Sequence, residues 1–257
     1  MTEPELPRMP SMRLEGRHAL VTGAGRGIGV AIAAALAQQG AHVHLAARSL
    51  DEVEAVAGAL QRSGWRASAV ALDVTDVAAV QAVVETLPVL GILVNNAGTN
   101  RPKPMAEVAL EDFDAVFGLN VRALYVVTQA VVRRMLAAGA KGSIINISSQ
   151  MGHVGGPNRT LYCGSKHAVE GITKALAVEL APQGIRVNSI APTFIETAMT
   201  RPYFEAPGFK DNVLSKIALG RLGQVEDVMG AVAYLASDAS ALVTGTSLVV
   251  DGGWTAQ

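Results

Sequence analysis

Tyr162 stands four residues before Lys166 in LYCGSKHAVEG, residues 161–171, a segment that reads as the start of a helix. Side chains four apart share one helix face, so a phenol and an ammonium are expected side by side. A free phenol has a pKa near 10, too high for ready proton exchange at neutral pH. An ammonium about 4 Å away contributes roughly 4 kcal/mol at an effective dielectric of about 20, or up to about three pKa units. Lys166 is therefore expected to lower the Tyr162 pKa and make the phenol a proton carrier. Thirteen residues before it, just past an apolar run, Ser149 can aim a hydroxyl at the same reacting oxygen. Taken alone, Tyr162 and Lys166 would also suit an ordinary helix pair with a snorkelling lysine.

A second constellation is rich in glycine. Gly23, Gly25, Gly27 and Gly29 fall between an apolar run and an alanine-rich stretch. Backbone amides at such a helix start can face a pyrophosphate. The spacing Thr22-Gly23-x-x-x-Gly27-x-Gly29 departs from G-x-G-x-x-G, and a plain tight turn would use the same residues. Where an acid would hold a ribose 2′-hydroxyl, the chain has Ala47 and Arg48. Asp51 and Glu52 follow, but Ser49-Leu50-Asp51-Glu52 reads as a capping box. Arg48 and Arg26 are thus the cations available to a 2′-phosphate, which a guanidinium meets bidentately. NADP is expected over NAD, with NAD as the alternative.

These residues need a scaffold, and the hydrophobic pattern supplies one. Strand-like runs occur at 18–21, 42–45, 67–72, 92–94, 143–147, 185–190 and 247–250. Helical stretches at 28–39, 51–61, 77–87, 113–136, 161–180 and 226–235 lie between them. Such alternation predicts right-handed βαβ crossovers: an α/β, Rossmann-type doubly wound sheet of seven parallel strands with helices on both faces. Ligands of such sheets bind beyond the carboxyl ends of the strands. The segments VTGAGRGIG, ALDVTD, VNNAG and INISSQ follow strands directly, where chemistry is expected.

Composition narrows the partners. The chain has 257 residues, half of them apolar, with 17% charged and a net charge of −1. That length fits one domain with a large core, and neither a nucleic-acid footprint nor a polyanionic tail is visible. A small-molecule partner is expected. No run of eighteen apolar residues suggests a membrane span, and a single cysteine, Cys163, suits a reducing, cytoplasmic setting. Residues 1–12, with three prolines, read as a flexible tail before one catalytic domain at 13–257. His42 and His44 share a strand face without further ligands at metal spacing, so no metal site is expected.

The motifs taken together, Thr22-Gly-x-x-x-Gly-x-Gly29, Asn95-Asn-Ala-Gly98, Asn120, Ser149 and Tyr162-x-x-x-Lys166, resemble the short-chain dehydrogenase/reductase family in its shorter form. The resemblance runs from about Leu14 to Trp254 and is greatest to gluconate 5-dehydrogenase-like and 3-oxoacyl-carrier-protein reductase-like members. It implies a catalytic set of Asn120, Ser149, Tyr162 and Lys166. Tyr162 would be the acid/base, Lys166 its activator and a ribose ligand, Ser149 the carbonyl-oriented hydroxyl and Asn120 the anchor of a proton relay. It further implies a dinucleotide held by Gly23, Arg26, Gly27, Ile28, Gly29, Arg48, Asp73, Val74, Asn95, Ala97, Gly98, Tyr162, Lys166, Pro192, Ile195 and Thr197. Asp73 would meet the adenine, although a helix cap before Val77 competes for it. Thr197 would hold the nicotinamide carboxamide. Members of the family usually have Pro-Gly where this chain has Pro192-Thr193, which adds a side chain near the nicotinamide. A homotetramer is also implied, and apolar character around the helices at 113–136 and 161–180 agrees with a helix-on-helix interface.

The substrate is expected between the loops QMGHVGGPNRT and TFIETAMTRPYFEAPGFKDN, the second forming a lid over about 193–217. Phe194, Tyr203, Phe204 and Phe209 either close an apolar lid or pin the loop to the body, and Arg201 and Lys210 are candidates for a carboxylate. His153 either touches substrate or decorates a surface loop, and His167 should face away. Arg133-Arg134 and Arg101-x-Lys103 would form a basic rim if a carrier protein delivered the substrate. The reading favoured is interconversion of a secondary alcohol and a ketone on a small polar polyol, sugar acid or ketone. The alternatives are a 3-oxoacyl-carrier-protein reductase and a non-catalytic dinucleotide-binding protein.

Overall fold

A computed structural model describes residues 6–256, so part of the expected 1–12 tail lies outside the described residues. In chain order the elements are β1 (His18–Thr22), α1 (Ile28–Gln38), β2 (His42–Ala47), α2 (Leu50–Arg62), β3 (Ala67–Ala71), α3 (Val77–Thr86) and β4 (Ile92–Asn95). There follow α4 (Leu110–Phe117), α5 (Leu124–Ala137), β5 (Gly142–Ile147), α6 (Thr160–Leu180), β6 (Ile185–Pro192), α7 (Arg201–Phe204), α8 (Phe209–Leu214), α9 (Glu226–Ala236) and β7 (Ser247–Val250). The strands form one sheet in the order β3-β2-β1-β4-β5-β6-β7, with every neighbouring pair parallel. Strand order reverses between β1 and β4, which opens a crevice beyond their carboxyl ends.

Alternation along the central strands divides the core into two layers. Ala19 and Val21 of β1, Ile92 and Val94 of β4, and Ile145 and Ile147 of β5 pack with α1, α2 and α9. Leu20, Leu93 and Ile144, one residue out of phase, pack with α3, α5 and α6. Both faces are therefore covered, as period-2 side-chain direction demands of a buried parallel sheet.

The predicted helix at 113–136 is longer and is interrupted. Between α4 and α5, Gly118–Ala123 form a π-helical turn that carries Asn120. The composite Leu110–Ala137 is 28 residues long and, by composition alone, apolar enough to cross a membrane. Here Val127, Val131 and Met135 of that helix are buried against the sheet.

The segment after β6 contains the short helices α7 and α8. Phe194, Phe204, Phe209 and Trp254 lie with ring centroids about 6 Å apart, over buried Val213, Ile217 and Leu222. These aromatics pin the segment to a small core of its own, the second of the two roles expected for them.

Candidate active site

The glycine loop is built by close approach. Gly23 adopts φ +64°, and a Cβ there would lie 2.9 Å from Ala97 Cα. A Cβ on Gly29 would collide with the Gly23 carbonyl oxygen. Thr22 at the end of β1 ties this loop to the turn after β4: its Oγ1 accepts from Asn96 N at 3.0 Å and Ala97 N at 3.1 Å. The Asn96 side chain donates to Thr22 O at 2.9 Å and Gly23 O at 3.0 Å. Gly27 precedes α1 without a side-chain cap, leaving the Ile28 and Gly29 amides to an external acceptor.

This loop forms one end of a cavity of about 790 Å3 that runs to Tyr162 and the segment after β6. Gly23, Arg26, Gly27, Ile28, Gly29, Arg48, Asp73, Val74, Ala97, Gly98, Pro192, Ile195 and Thr197 all line it, as do Ser149, Tyr162 and Lys166. Asn95 does not. Its side chain turns into the core, where Nδ2 donates to Thr128 Oγ1 and Asn146 Oδ1 at 2.9 Å each. Strand alternation explains the correction, since Asn95 ends β4 facing the α5 layer and its neighbour Asn96 takes the place beside the glycine loop.

At the adenosine end, Ser49 caps α2 by accepting from Glu52 N at 3.3 Å. The Glu52 carboxylate turns over the glycine loop, where a Cβ on Gly25 would lie 2.6 Å from its Oε2. The cap is as expected, while the reciprocal half of the capping box is not formed. Asp73 is not the cap of α3. It accepts from Thr75 N at 2.9 Å and Thr75 Oγ1 at 2.7 Å, and Asp76 caps the helix through Ala79 N at 3.0 Å. The Thr75 hydrogen bonds, aided by the Arg48 charge, hold the Asp73 carboxyl below the usual carboxylate range.

At the other end, Ser149 follows β5 and lines the cavity together with Tyr162. Ser149 Oγ donates to Gln150 Oε1 at 2.7 Å. Lys166, buried, donates from Nζ to Ile147 O at 2.8 Å and lies 5.6 Å from the Tyr162 ring centroid. Spacing along α6 thus brings Tyr162 and Lys166 to the cavity that Ser149 enters from the end of β5. The expected direction of the Tyr162 pKa is reversed. Burial pushes the phenol up, with the Ser149 hydroxyl and the Arg159 charge opposing it. Lys166, held by a carbonyl beneath the ring, does not outweigh that desolvation. Burial also lowers the Lys166 amine to about 8, against the pull of Glu170.

Asn120 lies beneath the site and does not line the cavity. Its Oδ1 accepts from Thr99 N at 2.8 Å, and its Nδ2 donates to Thr99 O at 2.9 Å and Ser165 Oγ at 3.0 Å. It anchors the strand-end turn beside Lys166. The π-helical turn supplies the reason for an asparagine inside a helix.

Thr193 fills the position discussed above: it lines the cavity and its buried Oγ1 lacks a hydrogen-bond partner. Thr197 stands across from Gly27, 3.4 Å from where a Cβ would be. Arg201 and Lys210 are exposed and outside the cavity. His153 pairs with Ser247 Oγ at 2.9 Å and also lies outside it, while His167 turns back to Cys163 O. His42 bonds Ser68 and His44 bonds His18. Among the described residues no cluster of three or more His, Cys, Asp or Glu is placed to hold a metal. Sequence reasoning missed Asn96, Asn100, Glu52 and Arg159 as lining residues, while Tyr203, a lid candidate, does line the cavity. The presence of Arg159 in QMGHVGGPNRT, otherwise uncharged but for His153, was the available signal.

Residues 23–255 match a family model described as enoyl-(acyl carrier protein) reductase. L-xylulose reductase of Bos taurus is 39% identical over 95% of this chain and 99% of its own. The 3-oxoacyl-[acyl-carrier-protein] reductase of Thermotoga maritima is 40% identical over 94% and 99%. The crystal structure of a gluconate 5-dehydrogenase from Burkholderia cenocepacia, in complex with NADP and tartrate, superposes with a TM-score of 0.93 at 36% identity, covering 97% of this chain and 99% of that one. The chain belongs to the short-chain dehydrogenase/reductase family. As such it is an oxidoreductase of the type that acts on CH–OH groups.

Proposed function

We infer that this chain is an NADP-preferring oxidoreductase that interconverts a secondary alcohol and a ketone on a small polar polyol, sugar acid or ketone. One observation carries the reading: Ser149, Tyr162 and Lys166 meet in the same cavity as a glycine loop that only Cβ-free residues can form. The crowding at Gly23 and Gly29 and the uncapped start of α1 fit a pyrophosphate, and Arg26 and Arg48 fit a 2′-phosphate. A bound dinucleotide would supply or accept the hydride.

The protein's own groups handle the proton. In the reductive direction the protonated Tyr162 phenol donates to the developing alkoxide, and Ser149 directs its hydroxyl at the same oxygen. A phenol raised by burial remains protonated at neutral pH and suits that role. Lys166 favours the phenolate left behind, Asn120 anchors the relay that refills it, and residues 193–217 cover the substrate side.

The carrier-protein alternative loses part of its basic rim, Arg133 alone of its four cations remaining exposed without a bonded partner among the described residues. Arg101 and Lys103 both bind Asp112, at 3.0 Å and 2.5 Å, and Arg134 bonds the carbonyls of Val84 and Leu87. We further infer a cytoplasmic homotetramer, supported by the exposed apolar side chains of Phe113, Tyr125, Leu136 and Val178 on α4, α5 and α6. The test of the activity is an NADP-linked absorbance screen over sugar acids, polyols, cyclic ketones and β-ketoacyl thioesters, repeated with Tyr162→Phe. The variant should still bind NADP and lose turnover by at least about 100-fold. Turnover at the parental rate would discard the mechanism, and so would turnover of thioesters alone for the substrate class.

A further inference from the structure

One cation in the cavity wall enters the chemistry above only through its charge on Tyr162. Arg159 is 7% exposed and lines the cavity three residues before Tyr162. Its Nη1 is buried without a hydrogen-bond partner. Its guanidinium stacks 5.3 Å from the ring centroid of Tyr203, which comes from the segment over the substrate side. Among the described residues no carboxylate lies within salt-bridge distance of it.

Position makes that isolation more costly. Arg159 is the residue immediately before the 21-residue α6, and it makes no side-chain hydrogen bond to the helix amides. A cation at a helix N-terminus opposes the macrodipole, and a buried cation without an anion is unfavourable twice over. Asn158, at φ +59°, turns the chain just before it, and Asn158 O accepts from Lys103 N at 3.1 Å, which fixes the turn. Three other cavity-lining residues hold buried polar atoms without partners, Asn100 Oδ1, Ser148 Oγ and Thr193 Oγ1. These suit the hydroxyl groups of a ligand, and one guanidinium suits a single carboxylate bidentately.

We propose that Arg159 is the seat of a substrate carboxylate, so that the substrate is a hydroxylated carboxylic acid bound with its anionic end against α6. This rests on the oxidoreductase reading and selects within it the sugar acids over neutral polyols. The charge is fixed by Arg159, the reacting oxygen by Ser149 and Tyr162.

The test compares D-gluconate with sorbitol, which differ at one terminal carbon, carboxylate against alcohol. Isothermal titration is run on the NADP-saturated protein, with L-tartrate as a second carboxylate. Gluconate should bind at least about tenfold more tightly than sorbitol, and Arg159→Met should weaken it by about 100-fold while sorbitol shifts by less than about threefold. Arg159→Lys, which keeps charge but not the fork, should fall between, and it carries the test if the methionine variant does not fold. Tyr162→Phe should still bind gluconate, so failure of the catalytic reading shows in turnover and failure of the seat shows in binding. Equal affinity for gluconate and sorbitol, equal losses of both on substitution, or binding of neither carboxylate would each overturn the proposal.

Discussion

At Tyr162 and Lys166 the outcome turns on which electrostatic effect wins. An ammonium next to a phenol lowers its pKa only if its field exceeds the loss of hydration, and here the amine bonds a carbonyl while the half-buried phenol is desolvated. The consequence is directional. Reduction, which needs a phenol, should hold its rate across neutral pH, and oxidation, which needs a phenolate, should quicken as pH rises. The Lys166 amine, at about 8, sets where its charge is lost, and Glu170 is the group that holds it up. Removing that carboxylate lowers the amine further, so Glu170→Gln should move the alkaline limb of the reductive kcat profile to lower pH. An upward or absent shift would refute the coupling. Arg48 permits a second residue-level prediction. With Glu52 on the same wall, cation excess at the adenosine end rests on Arg26 and Arg48. Arg48→Asp should reverse the ratio of kcat/KM for NADP over NAD by about 100-fold, the scale of one bidentate charged contact. An unchanged ratio would remove the 2′-phosphate assignment.

The elements that carry the site were legible because their periods are unambiguous. All seven strands sit within two residues of their expected ends, since short apolar runs between helices have no competing pattern. The glycine loop was legible by composition, and its necessity follows from contact: Gly29→Ala drives a methyl into the Gly23 carbonyl. Overpacking of that kind costs about 1–3 kcal/mol, and at this chain length each kcal/mol lowers Tm by about 2–4 °C. Gly29→Ala should therefore melt several degrees lower and bind NADP poorly, as calorimetry and titration would show. A variant with parental Tm and affinity would contradict the close packing. What escaped the sequence depends on tertiary contact. Asn95 and Asn96 are identical in type, and only the face of β4 decides which one enters the core. The π-helical turn at Gly118–Ala123 leaves the apolar pattern of its helix intact while shifting Asn120 towards Thr99 and Ser165. Arg159 sits in an irregular loop, where no period predicts direction.

On the scale of the molecule, the sheet and the surface set different requirements. Packing α3, α5 and α6 on one face and α1, α2 and α9 on the other satisfies the sheet. It leaves Tyr125 49% exposed and Leu136 45% exposed on α5, Phe113 43% exposed on α4 and Val178 79% exposed on α6. Large exposed apolar side chains on the helices of one layer are what an interface between copies of a chain requires. An assembly formed there would couple to the site through this layer, because α4 leads into the turn bearing Asn120 and α6 carries Tyr162 and Lys166. Burying those faces against a second copy would hold the two helices at a fixed separation. Sedimentation equilibrium should therefore give four chains for the wild type. Tyr125→Asp, which places a charge in the proposed interface without touching the cavity, should yield smaller species with a lower Tm. Its activity should fall as the protein is diluted, whereas a wild-type monomer, or an assembly indifferent to that charge, would rule the interface out.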